Sequence, residues 1–310
     1  VKDIETKYPE VNDALHGTKY IATMKKVITE LYNKPELRSV MYQYQEQTQI
    51  KSTGAQFSCK VTKSSAVPTS VHKLRPSDIR VIGTVGDSIS AGTGIFAKIA
   101  VQLLIQSRGH SFTGGGASKV KDHVTMPNIL KEFNPNIYGP STGASGPDES
   151  QAIFNVAKVG DRAEHILGQT KKMVKRMKES SKISFQKDWK VINIFIGGND
   201  VCGYCKFPER YTPAKYKAHL EDTLAYLEAN VPRAFVNLIE VLDASVIGKL
   251  QNASIMCKLI LQSALCKCGT TRPIEEVQKY AKSLQRVTRE ILANPDRYNK
   301  KRQDFTVVLQ

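Results

Sequence analysis

The sequence predicts an α/β fold, a three-layer α/β/α sandwich around a five-stranded, mainly parallel sheet. Five short apolar runs of strand length recur after the first eighty residues, at 80–85, 153–159, 189–196, 233–242 and 305–310. Between the last four lie stretches of helical periodicity, roughly 161–180, 213–229 and 272–293. Strands alternating with helices connect through right-handed crossovers, and such sheets bind ligands beyond the carboxyl ends of their strands. Three of the runs end there in something chemically notable, GDS, GDR and GGND.

The elements follow in order. Residues 1–60 read as an N-terminal helical extension and linker, and 61–310 as the main domain. In the extension, Ile21, Met24, Ile28 and Leu31 recur at helical spacing and Pro35 starts a second helix. Residues 51–78 are polar and proline-punctuated, an extended loop. The first strand, RVIGTV, then runs into GDSISAGTG at 86–94, where glycines permit a turn that lifts Ser88 to the sheet edge. The same glycines also suit an ordinary strand-to-helix turn.

Residues 97–150 are an insertion. Its TGGGAS lacks a leading strand and a following Gly-Lys-Ser/Thr, so it reads as loop and not as a phosphate cradle. The second strand, IFNVAKV, ends in GDR, and the helix after it carries the densest basic run, KKMVKRMKESSK at 171–182. Met173 and Met177 lie one turn apart there, so the lysines form its solvated face. WKVINIFI leads into GGND, and RAFVNLIEVL and FTVVLQ complete the sheet.

The 310 residues are 41% hydrophobic and 24% charged, an ordinary globular balance. No run approaches the ~18 apolar residues of a membrane span. The chain opens on valine without a basic-then-apolar leader, so a signal peptide is expected to be already missing from this sequence. A net charge of +16 favours anionic partners. The charge is dispersed and no nucleic-acid-binding signature accompanies it. Nucleic acid is therefore set aside, and an anionic membrane surface stays as a minor partner of a monomer.

Six cysteines, Cys59, Cys202, Cys205, Cys257, Cys266 and Cys268, are even in number, and five of them cluster between 202 and 268. CGYC followed by CKC does not fit zinc-ribbon spacing, because one residue separates the second pair. With a glycosylation acceptor at Asn252, the pattern favours disulfides, an oxidising compartment and no metal.

At the strand ends, Ser88 offers a hydroxyl nucleophile. The main-chain N–H groups of Ser88 and Gly160 and the side-chain amide of Asn199 offer neutral donors for an oxyanion. Each has a plainer reading: Gly160 as a turn glycine, Asn199 as a helix cap. GDSIS is not the Gly-x-Ser-x-Gly elbow, since Ser90 stands where the second glycine belongs.

The stretch does resemble the first block of the GDSL lipases, or SGNH hydrolases. NVAKVG (155–160) and GGND (197–200) resemble two further blocks of that family, in the family's order. PTSVHKLRPSDIRVIGTVGDSISAGTG, HVTMPNILKEFNPNIYG, FQKDWKVINIFIGGNDVCGYC and DFTVVLQ together resemble its phospholipase B branch, from about residue 37 to 310.

The resemblance implies a flavodoxin-like sheet and an acyl-serine mechanism on phospholipid or lysophospholipid esters, without cofactor. It makes Ser88 the nucleophile and assigns the oxyanion hole to Ser88, Gly160 and Asn199. Asp87, Gly198 and Asp200 would support them from behind, Asp87 as a turn former. It also implies a secreted or extracellular membrane-face protein. Alternatives are an esterase of small or sugar acyl esters and a catalytically dead lipid-binding relative.

Ile89 replaces the usual leucine. The family's Asp-x-x-His block follows the last strand, whereas the six histidines, His16, His72, His110, His123, His165 and His219, all precede it. DALH at 13–16 matches the spacing but lies before the nucleophile. The domain is thus expected to lack its C-terminal block and, as it stands, to have little activity.

Overall fold

The structure, a computed structural model, describes residues 54–97, 105–247, 266–294, 296–299 and 302–310. The helical extension before residue 54, Asn252 and Cys257 lie outside the described residues.

Four parallel strands form the sheet in spatial order β1-β2-β3-β4: β1 (Ile79–Gly86), β2 (Trp189–Phe195), β3 (Ala234–Ile239) and β4 (Phe305–Leu309). The register pairs Ile82 with Val191 and Val191 with Phe235. All seven residues of β2 are buried, as the central strand of a parallel sheet covered on both faces should be. The α-helices in chain order are α1 (Met126–Phe133), α2 (Ile166–Glu179), α3 (Gly198–Gly203), α4 (Pro213–Asn230), α5 (Lys267–Thr271), α6 (Ile274–Ile291) and α7 (Asp296–Asn299).

The expected fifth strand, 153–159, is the correction. Instead of a strand it forms a single parallel bridge, Thr84 to Asn155, within three main-chain hydrogen bonds of 3.0–3.1 Å: Thr84 N to Phe154 O, Val156 N to Thr84 O, and Lys158 N to Gly86 O. Upstream, Tyr138 takes the same edge of β1 through a bridge to Val81. The Asn155 side chain explains the interruption. Its Oδ1 accepts the Ala157 N–H at 3.2 Å, a local turn that competes with a continuing ladder.

With that edge segment counted, the spatial order becomes 2-1-3-4-5, the flavodoxin-like arrangement. The order dictates the layers. Connections stepping from the edge segment toward β4 all run one way, so right-handedness puts α2, α4 and α6 on one face. Met173, Met177, Leu220, Leu224, Ala281 and Leu284 pack there against Val81, Ile192 and Val236. Contact with α2 is close enough that a Cβ on Gly83 would stand 2.5 Å from Met173 Sδ.

The connection from β1 to the edge segment steps the opposite way, so the insertion covers the other face. Val71, Ile137, Met126 and Leu130 pack there on Ile82, Trp189 and Val191. Toward β3 the cover opens into a groove of about 220 Å³, bordered by Leu74, Met126, Leu130 and Phe235. The insertion is held by polar stitches. Thr84 Oγ1 and Asn193 Nδ2 both donate to the Thr113 carbonyl, at 3.0 and 2.6 Å. Fully buried Arg108 donates to the carbonyls of Ser145 (2.8 Å), Asn155 (3.1 Å) and Ala157 (2.6 Å).

Candidate active site

The switch point of this order lies beyond the carboxyl ends of β1 and β2, where a ligand crevice is expected. Gly86 closes β1 where a Cβ would meet Phe195 O at 2.4 Å and Ser90 Oγ at 2.6 Å, so a side chain is excluded. Asp87 is buried, and its Oδ1 accepts the Ile89 N–H at 2.9 Å, drawing a turn around Ser88. Asn155 Nδ2 donates to Ser90 O at 2.9 Å and holds the turn from the edge segment. Ser88 is half-buried, and no hydrogen bond engages its hydroxyl among the described residues.

Gly160 ends the edge segment at φ +82°, with open space where a Cβ would project. Asn199 Nδ2 donates to the carbonyl of the next residue, Asp161, at 2.8 Å. One amide hydrogen is thereby anchored and the second is left for another acceptor. The helix-cap alternative does not fit this geometry. Gly197, at φ +119°, occupies the N-cap of α3, and the Asn199 amide donates to a different segment instead of accepting from its own helix.

Two contacts join the three turns. Gln169 of α2 accepts the Gly86 N–H at 2.9 Å and donates to Gly86 O and Asp161 Oδ2, both at 2.8 Å. Gly198 packs on Asp87, where a Cβ would lie 3.3 Å from Oδ2. The turns bearing Ser88, Gly160 and Asn199 are therefore brought together at one sheet edge. Gln169 was not singled out from the sequence. A glutamine on a helix bonding a glycine 83 positions earlier leaves no local signal.

Burial raises the pKa of both of the site's buried acids. Burial, with Asp161 nearby as a smaller cause, pushes Asp87 up to about 6. Burial pushes Asp200, whose Oδ2 accepts the Ala163 N–H at 3.2 Å, up to about 7. Near neutral pH Asp200 is therefore about half protonated, whereas Asp87 stays mostly ionised. Exposed Ile89 and Val159 stand one residue from Ser88 and Gly160, and give the site apolar flanks.

Among the histidines, His165 is nearest in the chain to Gly160. Its Nδ1 accepts the Arg162 N–H at 3.0 Å, which puts any neutral-ring proton on Nε2. The same Nδ1 is 3.7 Å from Asp161 Oδ1, so that carboxylate does not orient the ring as a triad acid would. His110 is held down to about 4, by burial first and by His123 second.

The cysteine cluster forms two disulfides, Cys202–Cys266 and Cys205–Cys268, instead of four metal ligands. They tie the helix that carries Asn199, and the turn after it, to the segment around α5. Cys59 is exposed and without a disulfide partner among the described residues. No described helix is long and apolar enough to cross a membrane.

The family model described as GDSL-like Lipase/Acylhydrolase matches residues 82–310. The proteins named "Phospholipase B1, membrane-associated" from Mus musculus and Homo sapiens are each 38% identical to this chain over 266 residues. The Rattus norvegicus protein of that name is 37% identical over the same length. Each alignment covers 83% of this chain and 18% of the relative, so the chain spans under a fifth of the relatives' length. An alpha/beta hydrolase enzyme from the metagenome of Lake Arreo, Spain, aligns with a TM-score of 0.32 and 14% identity, over 68% of this chain and 73% of that chain.

Proposed function

Because this chain belongs to the GDSL-like lipase/acylhydrolase family, we propose that it carries the acyl-transfer site of a serine esterase acting on phospholipids and lysophospholipids. The observation that carries this reading is the Asn199 amide anchored on Asp161 O, beside the left-handed Gly160 and joined through Gln169 to the Ser88 turn. Similarity to proteins named phospholipase B1 supports the substrate class. The two disulfides support an extracellular or membrane-face location.

In the reaction, Ser88 Oγ attacks the ester carbonyl and gives its proton to a base. The oxyanion lies against the N–H groups of Ser88 and Gly160 and the second hydrogen of Asn199 Nδ2. Collapse expels the glyceryl alcohol, which takes a proton back, and water then releases the fatty acid from the serine. Asp87 shapes the nucleophile turn, and Gly198 and Asp200 support the Asn199 helix. The base is left unassigned: His165, the histidine nearest Gly160 in the chain, accepts the Arg162 N–H at Nδ1 and is not hydrogen-bonded to a carboxylate.

The test uses the full-length protein and its Ser88→Ala variant against phospholipid and lysophospholipid, with a serine-directed phosphonate as label. Hydrolysis and labelling should both vanish in the variant; unchanged hydrolysis would overturn the reading. His165→Ala in the same assay should leave turnover unchanged; a loss of about 10⁶-fold, the cost of removing a triad base, would identify His165 as the base.

A further inference from the structure

We propose that Arg162 recognises a phosphate group on the substrate, a proposal that rests on the ester-hydrolase reading above and names the chemistry that would select phospholipid over neutral esters. Arg162 follows Gly160 by two residues, and its Nη1 lies 3.5 Å from the Gly160 carbonyl, at the limit of a hydrogen bond. Its Nε is buried without an acceptor. No carboxylate forms an ion pair with it among the described residues. The guanidinium is nevertheless well placed, its carbon 5.1 Å from the centre of the Tyr211 ring and its Nε 3.8 Å from where a Cβ on Gly203 would stand.

A second arginine makes the contrast. Arg210 stacks on the same ring at 5.5 Å, but its fork is filled by Glu164, at 3.0 and 2.7 Å. Tyr211 thus carries one arginine held in an ion pair and one that forms none among the described residues. Elsewhere Arg176, Arg289, Arg297 and Arg302 each meet a carboxylate. A buried N–H left without an acceptor is unfavourable, and a planar fork held by stacking suits a phosphate's paired oxygens.

Glu164 and Asp200 feel the Arg162 charge, but neither forms an ion pair with it. Glu164 is taken by Arg210, and the Asp161 carboxylate accepts from Gln169. Asp200 is pushed toward its neutral form by burial. The position also fits the chemistry. Gly160 is the proposed oxyanion glycine, and in a glycerophospholipid the phosphate lies only a few bonds from the acyl ester.

The experiment measures binding to the full-length protein in a Ser88→Ala background, which prevents turnover. The probes are a lysophospholipid, a monoacylglycerol of the same acyl chain and inorganic phosphate. The readout is the ratio of the two lipid affinities. The lysophospholipid should bind roughly tenfold tighter, Arg162→Gln should bring the ratio to about one, and Arg162→Lys should restore part of it. Melting curves for both variants check folding, and the lysine variant keeps the test valid if the glutamine variant melts early.

Equal binding of both lipids, or a ratio insensitive to Arg162→Gln, would overturn the phosphate role and leave the esterase reading standing. Failure to bind either lipid would overturn both. Saturable binding of inorganic phosphate that depends on Arg162, without any lysophospholipid preference, would assign the site to free phosphate instead of substrate.

Discussion

At the scale of single residues, the site depends on side chains whose second partner fixes the first. Asn199 illustrates this best. Its bond to Asp161 O orders the amide, so in the proposed reaction a developing oxyanion would meet a donor already in place. In the full-length protein, Asn199→Ala should lower kcat by about 10²–10³, with a change in Tm of no more than a few degrees. A loss of stability with normal turnover per folded molecule would return Asn199 to a purely structural role. Gly160→Ala differs in kind. No atom blocks the added Cβ, so its cost is the left-handed φ of +82°, about 1–2 kcal/mol. That Ser88, Gly160 and Asn199 lie on turns at the carboxyl ends of the strands was legible in the sequence, because such turns demand particular residue types within a few positions. Gln169 and the unsatisfied Nε of Arg162 were not, because each depends on the packing of distant segments.

At the scale of elements, periodicity served the helices well. The stretch read as 213–229 is α4 at Pro213–Asn230, and the methionines flanked by lysines are the buried stripe of α2. The run at 153–159 looked like a strand because its residues are apolar and lie beside β1. Composition did not reveal that Asn155 turns its side chain onto its own backbone, or that Tyr138 shares the edge. Cysteine count pointed to cross-linking but left the pairing open, since pairing depends on which turns meet in space. The two disulfides close nearly the same loop, with sequence separations of 64 and 63 residues. Either one alone already restricts the unfolded chain, so the second adds little loop-closure entropy. Replacing Cys202 and Cys266 together by alanine should therefore cost less than the 2–4 kcal/mol typical of a single disulfide, about 1 kcal/mol. Removing both pairs should cost more than the sum of the two separate removals. Denaturant unfolding of the three variants checks this, and additive losses would show that strain or packing, not loop entropy, dominates.

For the whole molecule, buried ionisable groups at opposite ends of the sheet set opposing dependences of stability on pH. At the carboxyl edge, Asp87 and Asp200 have folded pKa values raised to about 6 and about 7 from 3.8. Between pH 4 and 7 the folded state therefore binds more protons than the unfolded state, and stability falls as pH rises. At the amino edge, fully buried Lys190 donates to the carbonyls of Asp188 and Pro232, both at 2.8 Å, and burial lowers its pKa from 10.5 to about 7. Between pH 7 and 10.5 the unfolded state binds more protons, and stability rises with pH. The two contributions meet in a shallow minimum near neutrality. Carboxylates held low by partners, such as Asp148 beside Lys172, act only below about pH 4. At about 1.4 kcal/mol per pKa unit, upper bounds are about 4 kcal/mol for Asp200 and about 5 kcal/mol for Lys190. Asp200→Asn keeps an acceptor for the Ala163 N–H and should flatten the limb between pH 4 and 7, stabilising the protein at pH 8 but not at pH 4. Lys190→Met should flatten the limb above pH 7 and leave the acid side unchanged, although it gives up two hydrogen bonds. Lys190 is the second residue of β2 and Asp200 lies beyond its end, with about 17 Å of strand between Lys190 and Phe195, so the double variant should show both effects added within about 0.5 kcal/mol. Chemical denaturation at pH 4, 7 and 10 measures all of this. If Asp200→Asn left the acid limb unchanged, Asp200 would be ionised in the folded state, and the proposed oxyanion site would carry a charge that opposes the proposed chemistry.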